Sequence, residues 1–174
     1  MTPIRVPILV VTGRHSLSCS LAHGDQRILE VLNDRSSEFL QIKDVEVHRC
    51  LCIECTEKLD EATIRKSAID FVLLRQDKHE AAHRRPFAFV DKHPYRANLL
   101  LGEHEIEGIL MLKGATDPVV ALGREASSFI PITNAQLSSY GAADPPKGVG
   151  VALVNNSKIS LMRIDRQPLK SHAD

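Results

Sequence analysis

The two halves of this 174-residue chain repeat the same pattern of apolar and turn residues. They align at an offset of 89 residues, which becomes 90 after one inserted residue. The matching pairs include Gly13 and Gly102, His15 and His104, Leu21 and Leu110, Gly24 and Gly114, Leu32 and Leu122, Phe39 and Phe129, and Ile69 and Ile159. Because the shared positions shape turns and cores, the repeat predicts two tandem modules of one fold, each roughly 70 to 80 residues long. Both modules are expected to have the same strand order, with Phe39 and Phe129 in equivalent buried positions.

Short apolar runs separated by turn residues predict about five strands in each module. They cover 6–11, 15–21, 39–47, 62–65 and 69–74 in the first module, and 99–101, 106–110, 129–137, 149–154 and 159–164 in the second. A helical spacing of apolar residues predicts one short helix within 25–33, and Pro118 favours a helical turn at 117–123. The predicted fold is mainly β, with two tandem small, bent β-barrel modules of the Sm or SH3 type.

The predicted modules are joined by a polar stretch rich in histidine. We assign residues 1–76 to the first module, 77–94 to a linker, 95–166 to the second module and 167–174 to a flexible tail. Modules this small bury only a modest fraction of their surface when they fold. We therefore expect them to pack on each other or on another chain.

Charge and cysteine content narrow the expected class of protein. Lys and Arg number 22, as do Asp and Glu, so the chain lacks the positive excess that drives most nucleic-acid binding. Four cysteines without a signal peptide are typical of a reducing compartment. The apolar run at 8–11 is too short to span a membrane. These features predict a soluble, cytoplasmic protein without a membrane segment.

Several segments resemble a family of uncharacterised bacterial small β-domains that often occur in tandem. The resemblance covers nearly the whole chain, and the segments that carry it are 14–17, 28–33, 39–45, 103–106 and 155–159. More distantly, the strand order is similar to that of the Sm-like barrel of RNA-binding proteins, through Gly108 and Leu110 and the turn at 66–69. This resemblance implies a barrel fold and, more remotely, an RNA site.

One cluster of metal-ligating residues lies in the first half. His48, Cys50, Cys52 and Cys55 supply four soft ligands within eight residues, enough for a tetrahedral zinc site. The corresponding positions of the second half are Ser138, Tyr140, Ala142 and Pro145, so the repeated fold itself requires no metal. The open alternative is a strand end with small, partly buried thiols.

A second motif matches the zinc-protease pattern His-Glu-x-x-His at residues His79 and His83. Such a site needs a buried helix, but Arg84 and Arg85 follow the motif and Pro86 would end a helix there. We interpret it as a solvated linker without metal.

His15 and His104 each follow a predicted hairpin turn, where an imidazole can cap carbonyls or pack over the turn. Cys19 is expected in the core.

No phosphate-binding glycine loop and no nucleophile with an assignable base is evident in the sequence. We predict a non-catalytic binding or adaptor protein that contacts a protein partner or assembles with itself. The predicted loops at 49–61 and 138–147 differ completely between the halves, and these loops together with the surface between the modules are the expected contact surfaces. The alternatives are an Sm-like nucleic-acid binder, with Arg84, Arg85, Lys92 and Arg96 as its basic cluster, and a zinc-dependent activity.

Overall fold

A computed structural model describes residues 5–22, 26–49, 55–74, 92–113, 120, 127–139, 147–165 and 169. The first half contains β1 (Arg5–Thr12), β2 (His15–Ala22), α1 (Ile28–Asn33), β3 (Phe39–Arg49), β4 (Cys55–Arg65) and β5 (Ile69–Leu74). The second half contains β6 (Lys92–Leu101), β7 (His104–Lys113), β8 (Phe129–Ser139), β9 (Lys147–Asn155) and β10 (Leu161–Ile164). A short 3-10 turn follows β4 at Lys66–Ala68, and another follows β9 at Asn156–Lys158.

The described strands form one antiparallel sheet of ten strands, so the prediction of a mainly β chain is confirmed. The order is β10-β6-β7-β8-β9-β5-β1-β2-β3-β4, in which the first five strands follow the same order as the last five. The sheet does not close into a barrel, because β5 pairs with β9 of the other half and not with β4 of its own half. Among the described residues no helix is long and apolar enough to cross a lipid bilayer.

The two halves bend at equivalent positions. Asp44 in β3 and Asn134 in β8 lie 90 residues apart, and both have positive φ angles, of 52° and 49°. Asp and Asn enter this left-handed region more readily than most residues. Beside them the strand pairing shifts register, between Ser18 and Ser20 in β2 and between Glu107 and Ile109 in β7. Such β-bulges increase the bend and twist of a sheet, so each half curves around its own core.

Two hydrophobic cores result, and each receives side chains from both halves. The core of the second half includes Val11, Phe71 and Leu73 from β1 and β5. The core of the first half includes Phe129 and Leu153 from β8 and β9. Since β5 and β9 supply buried residues to both cores, the halves are packed together along this pair of strands.

The strands beside the predicted loops are longer than the sequence indicates. β3 runs to Arg49 and β4 starts at Cys55, so most of the predicted loop 49–61 is strand. In the second half β8 ends at Ser139 and β9 starts at Lys147, within the predicted loop 138–147. Residues 57–61 of β4 are exposed on both faces of the sheet, and most of them are charged. The sequence therefore lacks the alternation of apolar and polar residues by which a strand is predicted.

Candidate functional site

The strands β5 and β9 form the junction between the two halves, which we call the internal junction. Their antiparallel ladder pairs Phe71 with Val154, Val72 with Leu153, Leu73 with Ala152 and Leu74 with Val151. Phe71, Val72, Ala152 and Val154 are all completely buried. Burial on both faces is typical of the centre of a sheet, and the internal junction is therefore as well covered as the rest of the core.

Two asparagine side chains fasten the internal junction at one end. Asn33, the last residue of α1, donates from Nδ2 to the Phe129 carbonyl at 3.0 Å and accepts from the Phe129 amide at 2.8 Å. Asn155, at the end of β9, donates from Nδ2 to the Ile69 carbonyl at 2.8 Å. Because each side chain satisfies backbone groups of the other half, the two asparagines fix how the halves meet.

His104 lies beside the same end of the internal junction, close to Asp70 and Phe71 of β5. Its ring meets Phe71 edge to face, with the ring centroids 5.3 Å apart and an interplanar angle of 86°. Burial lowers the pKa of His104, while the carboxylates of Asp70 and Glu103 act to raise it. Nδ1 is buried and has no hydrogen-bond partner among the described residues. Capping of carbonyls or packing over the hairpin turn stays a prediction for this histidine, and the contact observed is that of its ring with Phe71 in a strand of the other half.

At the two outer ends of the sheet, residues equivalent to buried residues of the internal junction are exposed. At one end β4 has no further strand among the described residues, and Phe39 beside it is 47 % exposed, whereas its counterpart Phe129 is 1 % exposed. At the other end β10 is the last strand, and Leu161 is 54 % exposed, whereas its counterpart Phe71 is fully buried. We call these two regions the β4 end and the β10 end.

The expectation that Phe39 and Phe129 are both buried is therefore wrong, although their strand positions are equivalent. Phe39 pairs with Arg65 and Phe129 pairs with Asn155, at matching places in the two ladders. The difference lies in what covers them. Phe129 is covered by α1 and the first-half core, while Phe39 is about half exposed and has the Arg65 guanidinium above its ring, 4.6 Å from the centroid.

Three of the four exposed large hydrophobic residues in the described part of the chain lie at the β4 or β10 end. They are Phe39, Leu59 in β4 and Leu161 in β10, and the fourth is Val120, outside the described strands. Exposed apolar side chains collected at unpaired strand edges are typical of surfaces that bind other chains.

A pocket of about 590 Å³ opens beside the internal junction, where the turn after α1 and both 3-10 turns come together. Its walls include Asn33, Ser128, Asn155, Asn156 and Ser157. The basic residues in its walls are largely engaged by the protein itself. Lys66 Nζ donates to the carbonyls of Val31 and Asp34 at 2.7 and 2.8 Å, and Arg65 bonds Glu38 at 2.8 Å. The pocket therefore offers mainly amide and hydroxyl groups to a ligand.

The predicted zinc ligands are only partly within the described residues. His48 lies in β3 and is the cross-strand partner of Cys55, the first residue of β4, so the hairpin brings these two positions together. His48 Nδ1 is buried without a hydrogen-bond partner among the described residues, and Nε2 lies 3.9 Å from the Glu46 carboxylate. Cys50 and Cys52 lie outside the described residues. Among those that are described, no group of three or more ligating side chains is found, and zinc at this hairpin stays a prediction.

Some residues of the remaining predicted motifs lie outside the described residues, and others lie within them. His79, His83, Arg84 and Arg85 lie outside the described residues, while Lys92 and Arg96 are exposed in β6. His15 is exposed, unlike its counterpart His104. Cys19 is buried in the first-half core as expected, and burial raises the pKa of its thiol to about 12, so it stays protonated and unreactive at neutral pH.

Sequence reasoning did not identify the residues of the internal junction. Asn33 and Asn155 are ordinary polar residues at the ends of a helix and a strand, and their partners lie 96 and 86 residues away in the chain. The signal available was the repeat itself, since two similar halves joined edge to edge leave one outer edge on each among the described strands. No protein-family model, curated protein or solved structure matches this chain.

Proposed function

We propose that this chain is a non-catalytic, cytoplasmic binding protein that holds its partner at the open ends of its sheet. The observation that carries the proposal is the exposure of Phe39 and Leu161 at the β4 and β10 ends, where the equivalent residues of the internal junction are buried. An unpaired strand edge offers backbone donors and acceptors to a partner strand, and nearby apolar side chains add contact area. A net charge of zero does not oppose such contacts.

The proposal includes the interpretation of the chain as two tandem modules of one bent-sheet fold. It is supported by the repeated strand order and by the equivalent bulges at Asp44 and Asn134. The turns agree as well. The Lys66 amide donates to the Glu38 carbonyl at 2.9 Å, and 90 residues later the Asn156 amide donates to the Ser128 carbonyl at 2.8 Å. On this interpretation the partner binds at the outer edges of the sheet, at the β4 and β10 ends.

The test is affinity purification of the tagged full chain from its native cell. We expect Phe39→Asp and Leu161→Asp each to remove the bound protein, because a carboxylate at either position opposes burial of the interface. Gln136→Asp is the matched control, since Gln136 is exposed in β8, an interior strand of the sheet. Retention of every partner by both end variants would refute the proposal.

A second candidate function is binding of single-stranded nucleic acid, as the distant Sm-like resemblance implies. The pocket beside the internal junction favours it, because amide and hydroxyl side chains such as Asn156 and Ser128 suit the hydrogen-bonding edges of unstacked bases. We expect Ser128→Asp to weaken any binding of a single-stranded RNA probe at moderate salt, with Gln136→Asp again as control. Equal retention by both variants would exclude the pocket as the RNA site.

A further inference from the structure

The internal junction provides a template for contact between separate molecules. We propose that the partner at the open ends is a second copy of this chain, docked head to tail so that β4 of one copy pairs with β10 of the next. This inference rests on the proposed function and specifies its partner. The pairing is the β5·β9 ladder repeated, since β10 occupies in the second half the place of β5, and β4 occupies in the first half the place of β9.

The register between copies follows from that of the internal junction. Moving each β5 position forward by 90 residues and each β9 position back by 90 converts the pair Phe71 and Val154 into Leu161 and Ile64. In the same way the pair Leu73 and Ala152 becomes Arg163 and Ala62. Antiparallel pairing fixes the rest of the ladder, and every residue in it lies in a described strand.

Burial at the two ends shows what the contact would cover. Ala62 and Ile64 of β4 are half-buried, whereas their counterparts Ala152 and Val154 are fully buried at the internal junction. Leu161, at 54 % exposure, would fill the place that Phe71 fills internally. His15 is exposed beside the β4 end and would meet Leu161 as His104 meets Phe71. Each end therefore lacks the contacts that its counterpart makes at the internal junction, and the other end of a second copy would supply them.

The ends differ from the internal junction in charge. Arg163 stands in the place of Leu73, and Asp60 in the place of Gly150. In the transferred register Arg163 lies opposite Ala62, with Asp60 as a diagonal neighbour on the same face of the sheet. The opposite charges of Arg163 and Asp60 as diagonal neighbours favour the pairing of β4 with β10 in this register.

Head-to-tail contact uses a different surface on each partner, so every copy has one free end of each kind. The arrangement grows into a closed ring or an open filament, according to the rotation at each contact. A symmetric dimer would instead pair β10 with β10 or β4 with β4. The two arrangements are distinguished by variants that block one end at a time.

The experiment measures the mass of the purified full chain by analytical ultracentrifugation over a range of concentrations. We expect the natural chain to form species larger than a monomer, and Leu161→Asp and Phe39→Asp each to be monomeric alone. Mixed in equal amounts, the two variants should form a dimer of twice the monomer mass and nothing larger, because each retains one competent end. Gln136→Asp should assemble like the natural chain.

Each other result contradicts the inference. If the mixture stays monomeric, or if either variant alone still dimerises, the β4 to β10 contact is wrong. If the natural chain is monomeric at every concentration while Phe39→Asp and Leu161→Asp remove a different protein from pull-downs, the self-contact fails and the proposed function stands. If neither assembly nor partner binding responds to the end variants, both fail together.

Discussion

The internal junction and the open ends of the sheet are built from equivalent positions but differ sharply in burial. Phe129, Phe71, Asn155 and His104 are buried between the halves, whereas Phe39, Leu161, Arg65 and His15 face solvent. The strand order and the positive-φ positions Asp44 and Asn134 are equivalent in the two halves. The two halves therefore share one strand order, while the burial of a given position depends on whether the other half lies beside it.

The largest expected difference is between the two phenylalanines. Phe129→Ala should destabilise the chain by about 3–5 kcal/mol, because it leaves a cavity in the first-half core. Phe39→Ala should cost less than about 1 kcal/mol in the monomer, since its ring is 47 % exposed and contacts mainly the Arg65 guanidinium. Denaturant unfolding at low protein concentration measures both. Similar losses for the two variants would show that Phe39 is covered within a single chain.

The bulge positions provide a second comparison between the halves. Gly108 takes the place of Cys19, and a Cβ there would lie 2.5 Å from Ile132 Cγ2 and 2.8 Å from the Thr133 carbonyl oxygen. Gly108→Ala should therefore cost about 1–3 kcal/mol through overpacking against the backbone of β8. Cys19→Ala, which removes one buried atom, should cost about 1 kcal/mol. Equal stability of the Gly108 variant and the natural chain in thermal unfolding would argue against this close approach.

The third comparison is between the hydrogen bond of Asn155 at the internal junction and the ion pair of Arg65 at the β4 end. Asn155→Ala should destabilise the chain by about 1–3 kcal/mol, because the buried Ile69 carbonyl loses its side-chain donor. Arg65 occupies the same place at the β4 end, is exposed, and forms an ion pair with Glu38 at the surface. Arg65→Ala should change stability by less than about 0.5 kcal/mol. Chemical denaturation of both variants is the check, and a larger loss for Arg65→Ala would reverse the comparison.

The smallest expected effect is a dependence of stability on pH through His104. Burial lowers its pKa from the usual 6.5, so below that pH the unfolded chain binds a proton that the folded chain resists. This contribution to stability is therefore present above about pH 6.5 and is lost as pH falls toward the lowered pKa. Burial of Asp70 raises its pKa, which acts in the opposite direction at more acidic pH. His104→Gln should flatten the loss of stability measured between about pH 7 and 5; an unchanged slope would contradict this assignment.

The pattern of apolar and turn residues was sufficient to predict a mainly β chain, the number of described strands, the short helix and the burial of Cys19. The repeat led to the error at Phe39, because identical residues at an offset of 90 predict identical environments only if both halves have the same neighbours. β4 was predicted too short because edge residues such as Glu57 and Lys58 are polar on both faces. The bonds of Asn33 and Asn155 depend on contacts between distant parts of the chain, which local sequence patterns do not encode.

The placement of β9 beside β5 has a consequence for synthesis of the chain on the ribosome. The residues that cover Phe71 and Val72 are 151–154, which emerge roughly 80 residues later. At translation rates of about 5–20 residues per second, the apolar edge of β5 stays uncovered for on the order of ten seconds. Such an edge is a site for misassociation between nascent chains until residues 151–154 of the same chain emerge and pair with it.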